Sequence, residues 1–324
     1  MRRKTRESDL IRQAVGVIHR SRSDCQYKRL PNAAAAGCRE LRQVQEHASA
    51  NKTADARLAE LLTGIAIKAS KAILAVDFRN AGTRRKADRS PVTVADEAAH
   101  NVILEELTHL LPGMPIVSEE AVDCWRGKQP GAEFILVDPL DGTAEFLAGR
   151  LEYTVNIALV RAGAPAVGVV AAPALGVIWR GAADHGAERV RFSLGDAVGK
   201  ARRAARIHTR PWRAHGRVAA VSRTHYDPAS AAFLERVAPV KPVAFGSALK
   251  FSRLAEGAID VYPRLAPTFE WDVAAGHAVV VAAGGVVLAP DGGALSYGRV
   301  KQAFLVQGFT AWGDPAAAKR FARA

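Results

Sequence analysis

The sequence predicts an α+β protein, a helix and antiparallel-sheet half followed by a smaller α/β half. Three observations lead there. Two stretches with helical apolar spacing come first, and a block of short apolar runs divided by turn residues follows. Beyond about residue 213, short apolar runs alternate with helical patterns. With 324 residues, 49% of them hydrophobic, the chain has enough apolar material for a full core.

The first helix is expected over Ala54 to Asp77, where apolar residues recur at positions 58, 61, 62, 65, 69, 72, 73 and 76. A second is expected over about 93–110, with Thr93 or the preceding Ser90-Pro91 as its start signal and Pro112-Gly113 as its stop. "MPIVSEE" reads as a short strand ending on acids, "FILVD" as a buried strand and "YTVNIALV" as another. "AVGVVAAPALGVIWRG" reads as a hairpin about a Pro-Ala-Leu-Gly turn. The stretch 184–213 is basic and interrupted and reads as a linker. "VAAVSR", "PVAFGS", "AIDVYPR" and "GGVVLAP" then alternate with helical segments. The expected division is a basic extension over 1–52, a first domain over 53–212 and a second over 213–324.

Composition narrows the function classes. Three cysteines, Cys25, Cys38 and Cys124, show no Cys-x-x-Cys spacing, so neither a disulfide framework nor a zinc knuckle is indicated, and a reducing cytoplasm fits best. No apolar run reaches the roughly 18 residues of a membrane span. The net charge of +13 raises nucleic acid as a partner, but residues 1–52 hold 12 Lys/Arg against 5 Asp/Glu, so over half the excess sits in one segment. A nucleic-acid partner is therefore not expected. Three readings stand for that segment: a mobile extension or early start codon, an organelle transit peptide, or a tether to phosphate backbones. Oligomeric state is not legible.

Four acidic clusters fall at element ends: Asp96 in "SPVTVAD", Glu119 and Glu120 in "IVSEE", Asp138 and Asp141 in "VDPLDGT", and Asp272 in "EWDVAAGHAV". Two carboxylates held close repel unless a cation or a shared proton lies between them. Pro139 restricts the turn between Asp138 and Asp141. Gly142 lets a ligand approach the backbone, and the N–H groups of Gly142, Thr143 and Ala144 open a helix, so an anion site adjoins a cation site. Oxygen donors without His or Cys point to a hard ion, Mg²⁺ or Mn²⁺. Metal beside phosphate implies phosphoryl chemistry. Each cluster alone has a plainer reading: Asp-Gly-Thr as a turn, Ser-Glu-Glu as a solvated loop, Asp272 as a helix cap.

Together, "SPVTVAD", "PIVSEE", "VDPLDGTAEF", "EYTVNIAL" and "WDVAAGHAVVVAAGG" resemble, in order, the motifs of the inositol monophosphatase superfamily of metal-dependent, lithium-sensitive phosphatases. "KADRSPVTVADEAAH", "GSALKFSRLAEGAIDVYPR" and "PTFEWDVAAGHAV" most resemble its CysQ-type 3'(2'),5'-bisphosphate nucleotidases, and the similarity covers about residues 55–310. The resemblance implies a layered αβαβα sandwich. It implies one Mg²⁺ held by Glu119, Asp138 and the carbonyl of Leu140, and a second held by Asp138, Asp141 and Asp272. A third, weaker ion near Glu119 and Asp96 is allowed, and Glu120 supports the site without binding metal. Thr143 and Asp96 would orient water and accept its proton, while the N–H groups of Gly142 and Thr143 hold phosphate oxygens.

The substrate implied is adenosine 3',5'-bisphosphate, or its phosphosulfate analogue, cleaved to release the 3'-phosphate as a step in sulfur metabolism. Inositol 1-phosphate is the alternative, and a non-catalytic nucleic-acid-associated homologue is the alternative of another class. Lys250 and Arg264 are the candidate cations for a second phosphate, against a plain reading as surface charges. Glu270 beside Asp272 departs from the pattern expected in close relatives and either faces the pocket or, more simply, points to solvent. His100 and His277 are expected to pack or cap, and Trp271 to support the core.

Overall fold

A computed structural model describes residues 33–85, 91–193, 202–223 and 227–321. Helix α1 (Ala33–Leu74) begins well ahead of the expected Ala54. The rest of the basic leader, residues 1–32, lies outside the described residues, and with it the three readings of that segment. A ribbon of β1 (Thr83–Arg85) and β2 (Pro91–Thr93) leads into α2 (Val94–Leu110).

The main sheet has seven strands in sequential order: β3 (Ile116–Ser118), β4 (Glu133–Asp141), β5 (Thr154–Arg161), β6 (Ala164–Ala172), β7 (Val177–Ala182), β8 (Gly186–Arg191) and β9 (Arg202–Ile207). β3 and β4 are parallel and all later neighbours antiparallel. The described part of the stretch read as a linker therefore supplies the last two strands of the sheet, β8 and the edge strand β9. Its alternation was obscured because "AERVRF" and "RRAARI" carry arginines on the strands themselves, and edge strands tolerate charge.

After the short helix α3 (Thr143–Leu147), the later segment builds a second sheet in the order β11-β10-β12-β16-β14. Its members are β10 (Val218–Ser222), β11 (Lys241–Phe245), β12 (Val261–Arg264), β14 (Val286–Leu288) and β16 (Phe309–Trp312). A two-residue pair, β13 (Thr268–Phe269) with β15 (Leu305–Val306), stands apart. The helices of this segment are α4 (Pro228–Arg236), α5 (Leu249–Ala255), α6 (Glu270–Ala282) and α7 (Pro315–Phe321).

Side-chain alternation sorts these elements into five layers. On β4, Ile135 and Val137 join α1 and α2 residues such as Leu62, Ile73, Ala99 and Ile103 in one core. Phe134 and Leu136 face the other way, into a core shared with α5, α6 and the inner face of the second sheet through Tyr262, Phe309 and Ala311. The outer face of that sheet, with Val221, Val261 and Trp312, packs on α4 and α7 through Phe233 and Ala317. The order is helix, sheet, helix, sheet, helix. Apolar α6 has buried residues on every side because sheets lie both above and below it, and it carries Asp272 in its first turn.

Candidate active site

The site grows from an irregularity in β4. Asp138 pairs with Asn156, and the next paired residue, Asp141, meets Thr154, so three steps on β4 oppose two on β5. Residues three apart on a regular strand point to opposite faces; one extra residue returns them to the same face. The bulge therefore aims Asp138 and Asp141 together at the side where α6 lies. "VDPLD" was expected to form a turn and instead continues the strand to Asp141. The Leu140 N–H donates to Asp138 Oδ1 at 3.0 Å, which fixes the bulge.

Glu119 arrives from the neighbouring strand. Ser118 pairs with Val137 in parallel register, so Glu119 and Asp138 are the next residues on adjacent strands. Glu119 and Glu120 open a short 3-10 segment. Glu119 lines a cavity of 230 Å³ with Trp125, Phe269, Trp271 and Phe304. His100 Nδ1 lies 2.9 Å from Ser118 Oγ and so steadies the strand end that precedes Glu119.

Asp96 sits at the third position of α2, 2% exposed. Its Oδ2 accepts the Thr93 N–H at 2.8 Å and the Thr93 hydroxyl at 2.6 Å, a capping box that fixes the carboxylate. The other oxygen of that carboxylate, Oδ1, accepts the Thr143 hydroxyl at 3.0 Å. The same hydroxyl lies 3.2 Å from the Leu140 carbonyl. Thr143 follows Gly142, whose φ of +92° demands glycine. The first N–H groups of α3 precede its first helical bond, from Phe146 N–H to Gly142 O.

Asp141 Oδ2 accepts the Ala248 N–H at 2.6 Å, with Asn156 Nδ2 at 3.3 Å and the Thr154 hydroxyl at 3.4 Å. Burial and then the nearby Asp272 charge push its carboxyl up to about 6. Asp272 Oδ2 in turn accepts from the Thr268 hydroxyl and from the Phe269 N–H, the latter at 3.1 Å, so it caps α6 as well as facing Asp141. Phe269 and Trp271 stack behind it, centroids 4.7 Å apart.

Among the described residues, no three Asp, Glu, His or Cys side chains stand together closely enough to hold a metal ion. A hard ion that keeps several waters needs only one or two carboxylates. The donor set fits such an ion. It is all oxygen, the Asp272 charge adds to burial in raising Asp141, a repulsion that a cation would relieve, and the buried Asn156 Oδ1 has no hydrogen-bond partner.

Two expectations need correction. Lys250 is not a surface charge: it is 2% exposed, its ammonium donating to the carbonyls of Ser247 at 2.7 Å and Phe245 at 3.2 Å. Burial pulls it down to about 8, with Asp141 opposing. Glu270 does not reach solvent. It is fully buried and accepts the N–H groups of Gly298 at 2.6 Å and Arg299 at 2.8 Å, bracing the start of α6. Arg264, by contrast, is pulled down by burial but raised overall by its contact with Tyr262 and by the nearby Asp272 and Asp141 charges.

Sequence reasoning passed over Asn156, Glu152 and Arg223. A polar residue inside the apolar run "YTVNIALV" was the available signal for Asn156. Nothing in the sequence signalled the pairing of Glu152 with Arg223, 71 residues apart.

The five layers and a bulged strand carrying two acids define an α+β sandwich with acids placed at helix tips and strand ends. Residues 54–323 match the model of the inositol monophosphatase family, and the chain belongs to that family. It is 42% identical over 225 residues to the 3'(2'),5'-bisphosphate nucleotidase CysQ of Salmonella typhimurium, covering 69% of this chain and 86% of that protein. To the CysQ of Escherichia coli K12 it is 41% identical over 224 residues, with the same coverage of 69% and 86%. Among solved structures, CysQ from Bacteroides thetaiotaomicron superposes with a TM-score of 0.66 at 32% identity, covering 79% of this chain and 97% of that one. An inositol monophosphatase from Anabaena, at 22% identity and a TM-score of 0.61 over 83% of this chain and 95% of its own, shares the fold.

Proposed function

We propose that the chain hydrolyses the 3'-phosphate of adenosine 3',5'-bisphosphate, giving AMP and phosphate, with Mg²⁺ as cofactor and Mn²⁺ as a substitute. The observation that carries this reading is the Thr143–Asp96 hydrogen bond, whose hydroxyl also lies 3.2 Å from the Leu140 carbonyl beside Asp141. Similarity to the CysQ relatives supports the nucleotide over other phosphate esters.

Glu119, Asp138, the Leu140 carbonyl, Asp141 and Asp272 are the residues that would hold the ions. Divalent ions there supply Lewis acidity to the phosphate and lower the pKa of water. The protein's own groups do the rest. Thr143 accepts a hydrogen bond from the attacking water, and its hydroxyl passes the proton on to Asp96, whose other oxygen is already pinned by Thr93. The N–H groups of Gly142 and Thr143 hold non-bridging oxygens of the phosphate. Arg264 takes the 5'-phosphate, its planar guanidinium suited to a dianion.

A phosphate-release assay over adenosine 3',5'-bisphosphate, its phosphosulfate analogue and inositol 1-phosphate, with lithium as inhibitor, tests the reading. The bisphosphate is expected to show the highest kcat/KM. A preference for inositol 1-phosphate would overturn the substrate assignment.

A further inference from the structure

The turn Phe245–Ala248 joins the two halves of the site and is held on three sides. Lys250 donates to the carbonyls of Phe245 and Ser247. The Ala248 N–H reaches Asp141 Oδ2 at 2.6 Å. On the remaining side, the Gly246 N–H donates to Glu152 Oε2 at 2.8 Å. The packing there is tight: a Cβ at Gly246 would lie 2.7 Å from the Glu152 carbonyl oxygen. Ser247 is forced to a φ of +48°, and a Cβ at Gly142 would lie 3.3 Å from the Ser247 Cβ.

Glu152 belongs to the half that carries Asp138 and Asp141, just before β5. Its carboxylate also receives both arms of Arg223, which follows β10 of the second sheet: Nε to Oε2 at 3.0 Å and Nη2 to Oε1 at 2.9 Å. The same Nη2 lies 3.2 Å from the Ala244 carbonyl. A two-armed guanidinium–carboxylate pair fixes direction as well as distance, even where it is half exposed and adds little stability.

We propose that Glu152 and Arg223 are a positioning pair for substrate selection. The pair locks the second sheet, with Arg264 on β12, at a set distance from Asp141 and Gly142, and so sets the span between the phosphate that is cleaved and the second phosphate that is only bound. This rests on the bisphosphate reading above. A molecule with one phosphate does not depend on the span.

The test uses the full chain with saturating Mg²⁺ and compares adenosine 3',5'-bisphosphate with adenosine 3'-monophosphate, which lacks the distal phosphate, in Arg223→Ala, Arg223→Lys and Glu152→Gln. For Arg223→Ala, kcat/KM on the bisphosphate is expected to fall about 10- to 100-fold, mainly through KM, as displacement of a positioning contact does. Turnover of the monophosphate should hold near its original value. Arg223→Lys, which keeps the charge but loses the fork, should fall between Arg223→Ala and the original chain. If Glu152→Gln melts early because Gly246 loses its acceptor, the two Arg223 variants still decide. Equal losses on both substrates, or no loss on either, would overturn the pair. A parent enzyme with no preference for the bisphosphate would instead remove the substrate reading on which it rests.

Discussion

The Thr143 hydroxyl stands 3.0 Å from Asp96 Oδ1, although 47 residues of chain separate them. A capped helix, α2, and the start of α3 meet at that bond. Thr143→Val removes the proton path and keeps the shape. It is expected to lower kcat by about 10²- to 10⁴-fold with little change in KM. Steady-state kinetics beside a thermal melt check this; a loss in KM alone would assign Thr143 to binding.

Glu270 is the next point of test. Its carboxylate accepts two backbone N–H groups, those of Gly298 and Arg299. Glu270→Ala is expected to destabilise the fold by about 2 kcal/mol, through the loss of two charge-assisted hydrogen bonds to partly buried donors. Glu270→Gln, which keeps an acceptor oxygen, should lose less. Urea denaturation measures both.

His277 lies on α6 with Nδ1 2.8 Å from the Tyr297 hydroxyl. Burial lowers its pKa from 6.5 to about 4, so the folded chain resists a proton that the unfolded chain accepts. Its contribution to stability is complete above about pH 6.5, the unfolded value, and is lost as pH falls toward 4. Denaturation midpoints at pH 7 and pH 5 should therefore differ more in the original chain than in His277→Gln. Equal differences would mean that His277 titrates freely.

Arg161 ties α1 to the sheet, with Nη1 and Nη2 on Asp55 at 2.8 and 3.0 Å and Nε on Glu133 at 2.8 Å. Arg161→Ala is expected to cost about 2 kcal/mol, below the value for a fully buried pair because the guanidinium is partly exposed. Since docking of the helix is anchored at Asp55, deletion of residues 1–50 should leave kcat/KM unchanged. A steep salt-dependent affinity for nucleic acid that disappears with those residues would favour a binding role for the leader.

What the sequence made legible was periodic or local. The α2 start signal at Thr93 reads directly because capping chemistry is encoded within four residues. The apolar runs of β5 to β7 read directly because strands packed on both faces are apolar throughout. The β4 bulge did not, since an extra residue in a ladder depends on the partner strand, and Asp-Pro-Leu-Asp looks like a turn in isolation. Lys250 and Glu270 were misplaced for a related reason. Charge argues for solvent until the fold supplies partners, here two carbonyls for one and two N–H groups for the other. β8 and β9 were hidden by the arginines they carry at the end of the sheet.

The central claim is that Glu119, Asp138, Asp141 and Asp272 make catalysis depend on bound divalent cations. Phosphate release from adenosine 3',5'-bisphosphate, followed as Mg²⁺ is titrated into chelator-treated protein, tests it most directly, with Asp138→Asn run alongside. The account predicts no turnover without the ion, saturable recovery as it is added, and none at any concentration in Asp138→Asn despite an unchanged circular dichroism spectrum. Full turnover in excess chelator, or recovery in Asp138→Asn, would contradict it.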